Sequence, residues 1–288
     1  MEEAPNNLVS GHDDLNDFVA AIEGETVLAF DVEGVNLSRV GQPTLCAVGI
    51  NCEGSVRVFL FDISDFAADY RSRQMSTLKK VLEDCTITKI IHDCRQDSDS
   101  LNEFCGIRIS NVFDTSVYNS QLKMTEKRDN LNNTLTEYGC PISTGRHTKS
   151  FYKIRPNYWL ERPLTEEHII SATQDVAYLF LLRASIIRRM SGMGAKQELK
   201  IRKASDAAIS EFREKRFTAF VEVPKKKMWF VIGDGGSTLN RIESDSGASV
   251  SWRDSQGFFI LASTKANLQA AKQLIKNTAN GRKRYYHR

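Results

Sequence analysis

The spacing of apolar and polar positions changes period several times along the chain, and each change predicts an element. "HDDLNDFVAAI" (12–22) opens on acids and continues with helical spacing, so it predicts a first helix. Three β-branched and aromatic runs follow: "TVLAFDVE" (26–33), "PTLCAVGIN" (43–51) and "VRVFLFDI" (56–63). Separated by Gly, Asn and Ser, they predict strands with hairpin-like connections. A helix over 73–84, a strand over 87–93 and a helix over 95–106, stopped by Gly106, come next. A short strand near Ile107–Ile109 and helices around 114–122 and 130–139 lead into a loop over 140–163. One long helix then runs from Thr165 to about Met190. This order predicts a mixed sheet with helices around it, an α/β domain over 8–190.

The segment 191–216 is glycine-punctuated and then charged and alanine-rich, which predicts a partly helical linker. Beyond it the pattern restarts. A strand over 217–223, helices over 226–232 and 237–246, strands "ASVSW" and "GFFILAS", and a helix over 264–277 make a small α+β module, βααββα, over 217–278. The end, 279–288, closes on "GRKRYYHR", a basic aromatic tail. No internal repeat is visible.

Composition narrows the class. The chain has 288 residues, of which 26% are charged and 41% apolar, values of a globular protein. The net charge of +3 decides nothing by itself. The start "MEEAPNN" carries neither a secretory signal nor an Arg-rich leader. The apolar run 176–187 is too short to span a bilayer and carries Arg183, so no membrane role is expected. Six cysteines without a C-x-x-C pair read as reduced thiols of an intracellular protein, cytoplasmic or nuclear.

Candidate chemistry begins at "VLAFDVEGVN" (27–36), where an apolar run ends on Asp31 and Glu33. Side chains two apart on a strand share a face, so two like charges stand side by side. Burying such a pair uncompensated is unfavourable by several kcal/mol. Hard divalent cations such as Mg²⁺ or Mn²⁺ remove the conflict, because they prefer carboxylate oxygens. Two such ions about 4 Å apart are a recurring clamp for in-line phosphodiester cleavage. Further acids stand at suitable points: Asp97 early in the helix of "IIHDCRQDSDSL" and Asp175 in "SATQDVAYLF" on the long helix.

"FDVEGVNL", "QPTLCAVGI", "IIHDCRQDSDSL", "VFDTSVYNSQL", "YWLERPLT" and "ATQDVAYL", in this order, resemble the RNase D-like 3′–5′ exonuclease domain of the DEDD superfamily, over about residues 10 to 190. The resemblance implies a ribonuclease H-like fold and removal of terminal nucleotides from a 3′ end. It implies that Asp31, Glu33 and Asp175 hold a first metal, with Asp31 bridging to a second that Asp97 supports. His92 also matches, and its expected role is structural. Asp93, Asp99 and Asp114 are expected to be solvated or capping acids, and Tyr178 a packing residue.

One departure stands out. The last family motif carries a Tyr four residues before its Asp, or a His five before, to orient and deprotonate the attacking water. Here Ser171 and Ile170 occupy those places. His168 lies seven residues back, about 10 Å along a helix axis and out of reach. A positioned base contributes about 10²–10⁴-fold. Its loss with four acids kept predicts a slow nuclease, or alternatively an inactive exonuclease-like adaptor that only binds RNA.

"VPKKKMWFVIGDGGSTLNRIESDSGASVSW" and "FFILASTKANLQAAKQLI" resemble a K homology (KH) domain of the βααββα type. Its G-x-x-G loop is Gly233, Asp234, Gly235 and Gly236, where glycines admit a sugar–phosphate chain and the next helix offers its amides to phosphate. Ile232 and the Val250 strand are candidates for the groove that takes about four unstacked bases. Asp234 opposes phosphate, and Lys225, Lys226 and Lys227 offset it. Arg146, Lys149, Lys153 and Arg155 interleave with Phe151, Tyr152 and Tyr158, a mixture that suits single-stranded nucleic acid. Arg183, Arg188, Arg189, Lys196, Lys200, Arg202 and Lys203 extend the basic character, whereas Trp159 is expected to fix its loop to the core. RNA or another single strand is the expected partner.

Overall fold

The computed structural model describes residues 6–9, 12–39, 41–52, 55–64, 69–147, 149–215, 217–253 and 256–281. It divides into two compact units, before and after the Ser210–Glu211 bond.

The first unit is built on a six-stranded sheet, ordered β1-β4-β3-β2-β5-β6. The strands are β1 (Asn6–Leu8), β2 (Val27–Val35), β3 (Gln42–Cys52), β4 (Ser55–Asp62), β5 (Thr88–Ile91) and β6 (Val112–Asp114). β2–β3–β4 is an antiparallel meander, while β1 joins β4, β5 joins β2 and β6 joins β5, all in parallel. The helices are α1 (His12–Ala21), α2 (Asp69–Glu83), α3 (Arg95–Cys105), α4 (Thr115–Leu122), α5 (Leu131–Glu137), α6 (Lys149–Ile154), α7 (Glu166–Ala177), α8 (Leu179–Met190) and α9 (Ala195–Ser210).

Strand alternation assigns the two faces. Leu28, Phe30, Val32, Cys46, Val48, Phe59 and Phe61 pack with Leu15, Phe18, Leu78, Leu82 and Leu101 of α1, α2 and α3. Ala29, Leu45, Ala47, Val58, Leu60 and Ile90 pack instead with Ala172, Val176, Leu179, Leu182 and Ile186 of α7 and α8. Asp31 and Glu33 share the parity of Ala29, so they belong to the α7 face. The six cysteines are free thiols.

Four local expectations differ from the structure. The short strand falls at Val112–Asp114 rather than Ile107–Ile109, because the ladder partner of Lys89, Ile90 and Ile91 is the later segment. The long helix is divided at Tyr178, whose φ −90° and ψ −5° depart from the ideal α-helical angles. The 140–163 loop contains α6 and a 3₁₀ turn at Tyr158–Leu160. Glu166–Met190 taken as one 25-residue span is long and apolar enough to cross a membrane by composition. Its buried residues are nevertheless the ones packed on the sheet, which accounts for its apolar character.

The expected linker also differs: α9 belongs to the first unit. Its Ile201 is buried in the α7-face cluster and its Ala208 and Ile209 in the other. Ser205 Oγ accepts from the Asp114 backbone N–H (3.0 Å) and donates to the Val112 carbonyl (2.8 Å). Ser98 Oγ donates to the Ile209 carbonyl at 2.6 Å. Charge and alanine content hid a helix that caps the edge strand.

The second unit has a three-stranded antiparallel sheet, β7-β9-β8, of β7 (Phe217–Glu222), β8 (Ser249–Arg253) and β9 (Gly257–Ala262). Helices α10 (Lys225–Ile232), α11 (Ser237–Ser246) and α12 (Lys265–Ala279) pack on it through Met228, Val231, Ile242, Ala271 and Ile275. Residues 282–288 of the basic tail lie outside the described residues.

Candidate metal centre and nucleic-acid interface

β2 places Asp31 opposite Ala47 and Glu33 opposite Leu45, and a bulge follows between Glu33 and Gly34. Bulges re-aim side chains at a strand end. α7 brings Asp175 to the same face, and carboxylate oxygens of Asp31, Glu33 and Asp175 all lie within 4.8 Å of one another.

Asp97 lies outside that set. It sits in the first turn of α3, whose Leu101 packs in the opposite layer, and so it approaches from the other side of the sheet. It remains close enough that Asp31 helps to raise its pKa.

The electrostatics are those of crowded, poorly solvated acids. Burial, then Asp175, pushes Asp31 up to about 7. Burial, then Asp31 and Asp175, pushes Glu33 well above the ordinary range. Burial, then Asp31, does the same to Asp97. Asp175 Oδ1 is buried with no hydrogen-bond partner among the described residues. Hard oxygen donors, like-charge crowding and an orphaned carboxylate oxygen together fit a divalent cation.

Arg146 is the residue that sequence reasoning placed wrongly. Rather than joining a basic strip, it turns inward, and its Nε donates to Asp175 Oδ2 at 2.8 Å. Burial would lower its pKa, but Asp175 and Asp31 outweigh that and raise it. Its loop is seated by Gln174, whose Oε1 accepts from the backbone N–H groups of Thr144 (2.7 Å) and Gly145 (2.8 Å). Nothing in its spacing signalled this, since the contact crosses 29 residues. Tyr152, also read as a stacking aromatic, lies in the same neighbourhood. Burial, then Glu33, raises its hydroxyl, and it hydrogen-bonds with Trp159.

Ser171 is buried, with its Oγ unpartnered among the described residues. His168 is committed elsewhere: Nδ1 accepts from the Thr165 N–H (3.2 Å) and Nε2 donates to the Tyr158 carbonyl (2.9 Å). His92 is structural, bonded with Thr115 Oγ1 (2.8 Å) and the Asp129 carbonyl (3.0 Å). Asp114 caps α4 through the N–H groups of Ser116 and Val117. Asp93 pairs with Arg95 and Arg128, and these hydrogen bonds and charges outweigh burial and hold its pKa at about 2. Asp99 is not solvated as expected: it is buried and paired with Arg39 at 2.7 Å. Trp159 is buried and ties its loop to the core.

In the second unit, Gly233 (φ 73°, ψ 173°), Gly235 (φ 56°) and Gly236 (φ 85°) all need positive φ. A Cβ on Gly233 would also meet Thr238 Oγ1 at 2.3 Å. Asp234 is exposed at the loop tip, and Lys225 and Lys226 are exposed on α10. Lys227 Nζ donates to Asn280 Oδ1 at 3.1 Å. Ile232 is half-buried, whereas Val250 is a core residue and contributes little to an open groove. Trp229 and Phe230, overlooked in the sequence, are exposed on α10 one helical turn from this loop. Among the first unit's cations, Arg189 pairs with Glu137 and Arg155 with Glu161. The side chains of Lys149 and Lys153 lie outside the described residues.

An acid cluster at the end of a mixed sheet, followed in the sequence by a glycine-loop module, is what a nuclease-type family would share, and the comparisons agree. The chain belongs to the 3′–5′ exonuclease family, whose model matches residues 6–191, and it carries a KH domain over residues 218–277. It is similar to piRNA biogenesis protein EXD1 of Homo sapiens, 32% identical over 182 residues, 59% of this chain and 34% of that protein. It is also similar to ribonuclease D of Desulfotalea psychrophila, 26% identical over 67% of this chain and 48% of that protein. The chain thus spans about a third of the EXD1 length and half that of ribonuclease D. The fold matches RNase D of Trypanosoma brucei, solved in complex with RNA U12, with a TM-score of 0.57 and 19% identity over 72% of this chain and 70% of that one.

Proposed function

We propose that the first unit is a divalent-metal-dependent 3′–5′ exonuclease acting on RNA or another single strand, with the KH domain holding the same substrate. The observation that carries this reading is the convergence of Asp31, Glu33 and Asp175 oxygens within 4.8 Å. Asp31, Glu33 and Asp175 would hold the first ion, and Asp97 would support a second. Bound there, such ions lower the pKa of a bound water and offset the charge that develops on a cleaved phosphodiester. The chain's own part is to gather the oxygens on rigid elements and to exclude bulk water around Asp175.

Ser171 supplies no base, so turnover is slow by the factor of about 10²–10⁴ that a positioned base contributes. Tethering by the KH domain raises the local concentration of substrate without needing high affinity of its own. Lys225 and Lys226 attract phosphates, and Trp229 and Phe230 offer stacking faces beside the loop.

The test is release of nucleotides from an RNA oligonucleotide in Mg²⁺ or Mn²⁺. Wild type shortens the RNA stepwise and Asp31→Asn does not; equal behaviour of the two removes the enzyme reading. A second reading, an RNA-binding adaptor without turnover, is favoured by the Arg146–Asp175 pair and the empty role at Ser171. It predicts salt-sensitive RNA binding that is indifferent to metal.

A further inference from the structure

We propose that Arg146 is a latch on the acid cluster: a resident cation that a divalent ion displaces from Asp175 before the centre can load. The inference rests on reading the cluster as a divalent-cation centre, and the test below separates the two.

The Arg146–Asp175 pair is asymmetric. The Asp175 side chain is 2% exposed and the Arg146 side chain 38%. The acid is therefore fixed in the core while the arginine reaches it from the surface, along a path by which it can leave. Arg146 also satisfies only one of the two Asp175 oxygens, since Oδ1 stays buried and unpartnered among the described residues. One positive charge among three crowded carboxylates compensates them incompletely, and a dication does so better. The guanidinium and a dication bound at the same carboxylate repel each other, so occupancy by one opposes the other.

The loop that carries Arg146 is held by the turn of α7 that leads into the acid. Gln174, the neighbour of Asp175, accepts the two backbone N–H groups of Thr144 and Gly145. Gly145 lies so close to α7 that a Cβ there would be 3.0 Å from Ser171 Cα and 3.1 Å from Ile170 Cγ2. His147, on the far side of Arg146, stacks on Phe151 with centroids 3.7 Å apart. The absence of a side chain at Gly145 is thus what lets the loop lie against α7, and the loop delivers the arginine.

The experiment titrates the metal-free full-length protein with Mn²⁺ and reads free ion by electron paramagnetic resonance, with melting curves recorded alongside. Arg146→Gln removes the competing cation, and Gln174→Ala keeps it but releases its loop. Arg146→Gln is expected to bind Mn²⁺ more tightly by a factor on the order of ten, and Gln174→Ala to shift the same way by less. Without metal, Arg146→Gln melts below wild type, because it leaves the carboxylates uncompensated, and Mn²⁺ closes the gap. Binding by the variant alone, with none by wild type, supports the latch in its strongest form. If Arg146→Gln binds no more tightly than wild type, the latch is wrong while the metal centre stands. If Arg146→Gln does not fold, an unchanged affinity in Gln174→Ala overturns the latch. If no form binds Mn²⁺, the latch and the metal centre fall together.

Discussion

A Cβ placed on Gly145 would lie 3.0 Å from the Cα of Ser171, so the loop backbone lies directly against α7 at this position. Ser171 is itself buried. Restoring the family's tyrosine at this position therefore overpacks the site. Ser171→Tyr is expected to lower stability by about 1–3 kcal/mol and to leave cleavage no faster than wild type. Chemical denaturation and a cleavage time course check both; a stable variant with sharply faster cleavage would show that the loop yields freely.

The acids make the metal-free protein sensitive to pH in a defined direction. Asp31 ionises at about 7 in the folded protein against 3.8 ordinarily. Between those values the folded state keeps a proton that the unfolded chain has released. Its contribution to stability is complete below the lower value and lost as pH rises through the upper one. Glu33 and Asp97, also raised, act in the same sense. Melting in a chelator should fall from pH ~5 to pH ~8, and fall less in Asp31→Asn. Equal slopes in the two proteins would mean that Asp31 is not crowded.

Ser205 ties α9 to the last strand through the Asp114 N–H and the Val112 carbonyl. Ser205→Val leaves both buried backbone groups without that partner and should destabilise the first unit by about 1–3 kcal/mol. A guanidinium unfolding curve reads the change. An unchanged midpoint would argue that 191–216 behaves as a linker after all.

For the KH domain, Gly233→Ala forces a side chain into positive φ and against Thr238. It should weaken RNA binding and lower the melting temperature of the second unit. Asp234→Lys acts only on charge, since the side chain is exposed. It should tighten RNA binding and steepen the salt dependence by roughly one unit of slope. Filter binding across a salt series distinguishes them; a flat response to Asp234→Lys would place RNA elsewhere.

Much of this was legible in the sequence because it depends on local pattern. The D-x-E pair announces itself by strand parity, and the glycine loop by residues that tolerate positive φ. Asp175 was legible from its place on an apolar helix. What stayed hidden depends on tertiary packing. Arg146 looked like one cation among several, and only the fold shows that Gln174 and Gly145 aim it at Asp175. The core helix α9 looked like a charged connector, because its few buried residues are outnumbered by exposed Lys, Arg and Glu. Asp97 was expected to support a second ion, and its distance from the Asp31, Glu33 and Asp175 set was not legible, since strand and helix periodicity fix a face but not a distance between layers.

The most direct test of the account is a crystal of the full chain soaked in Mn²⁺ and measured for anomalous scattering. The account predicts a peak between the carboxylates of Asp31, Glu33 and Asp175, with the Arg146 guanidinium withdrawn from Asp175. A soaked crystal with no peak there, and Arg146 still donating to Asp175, would contradict it.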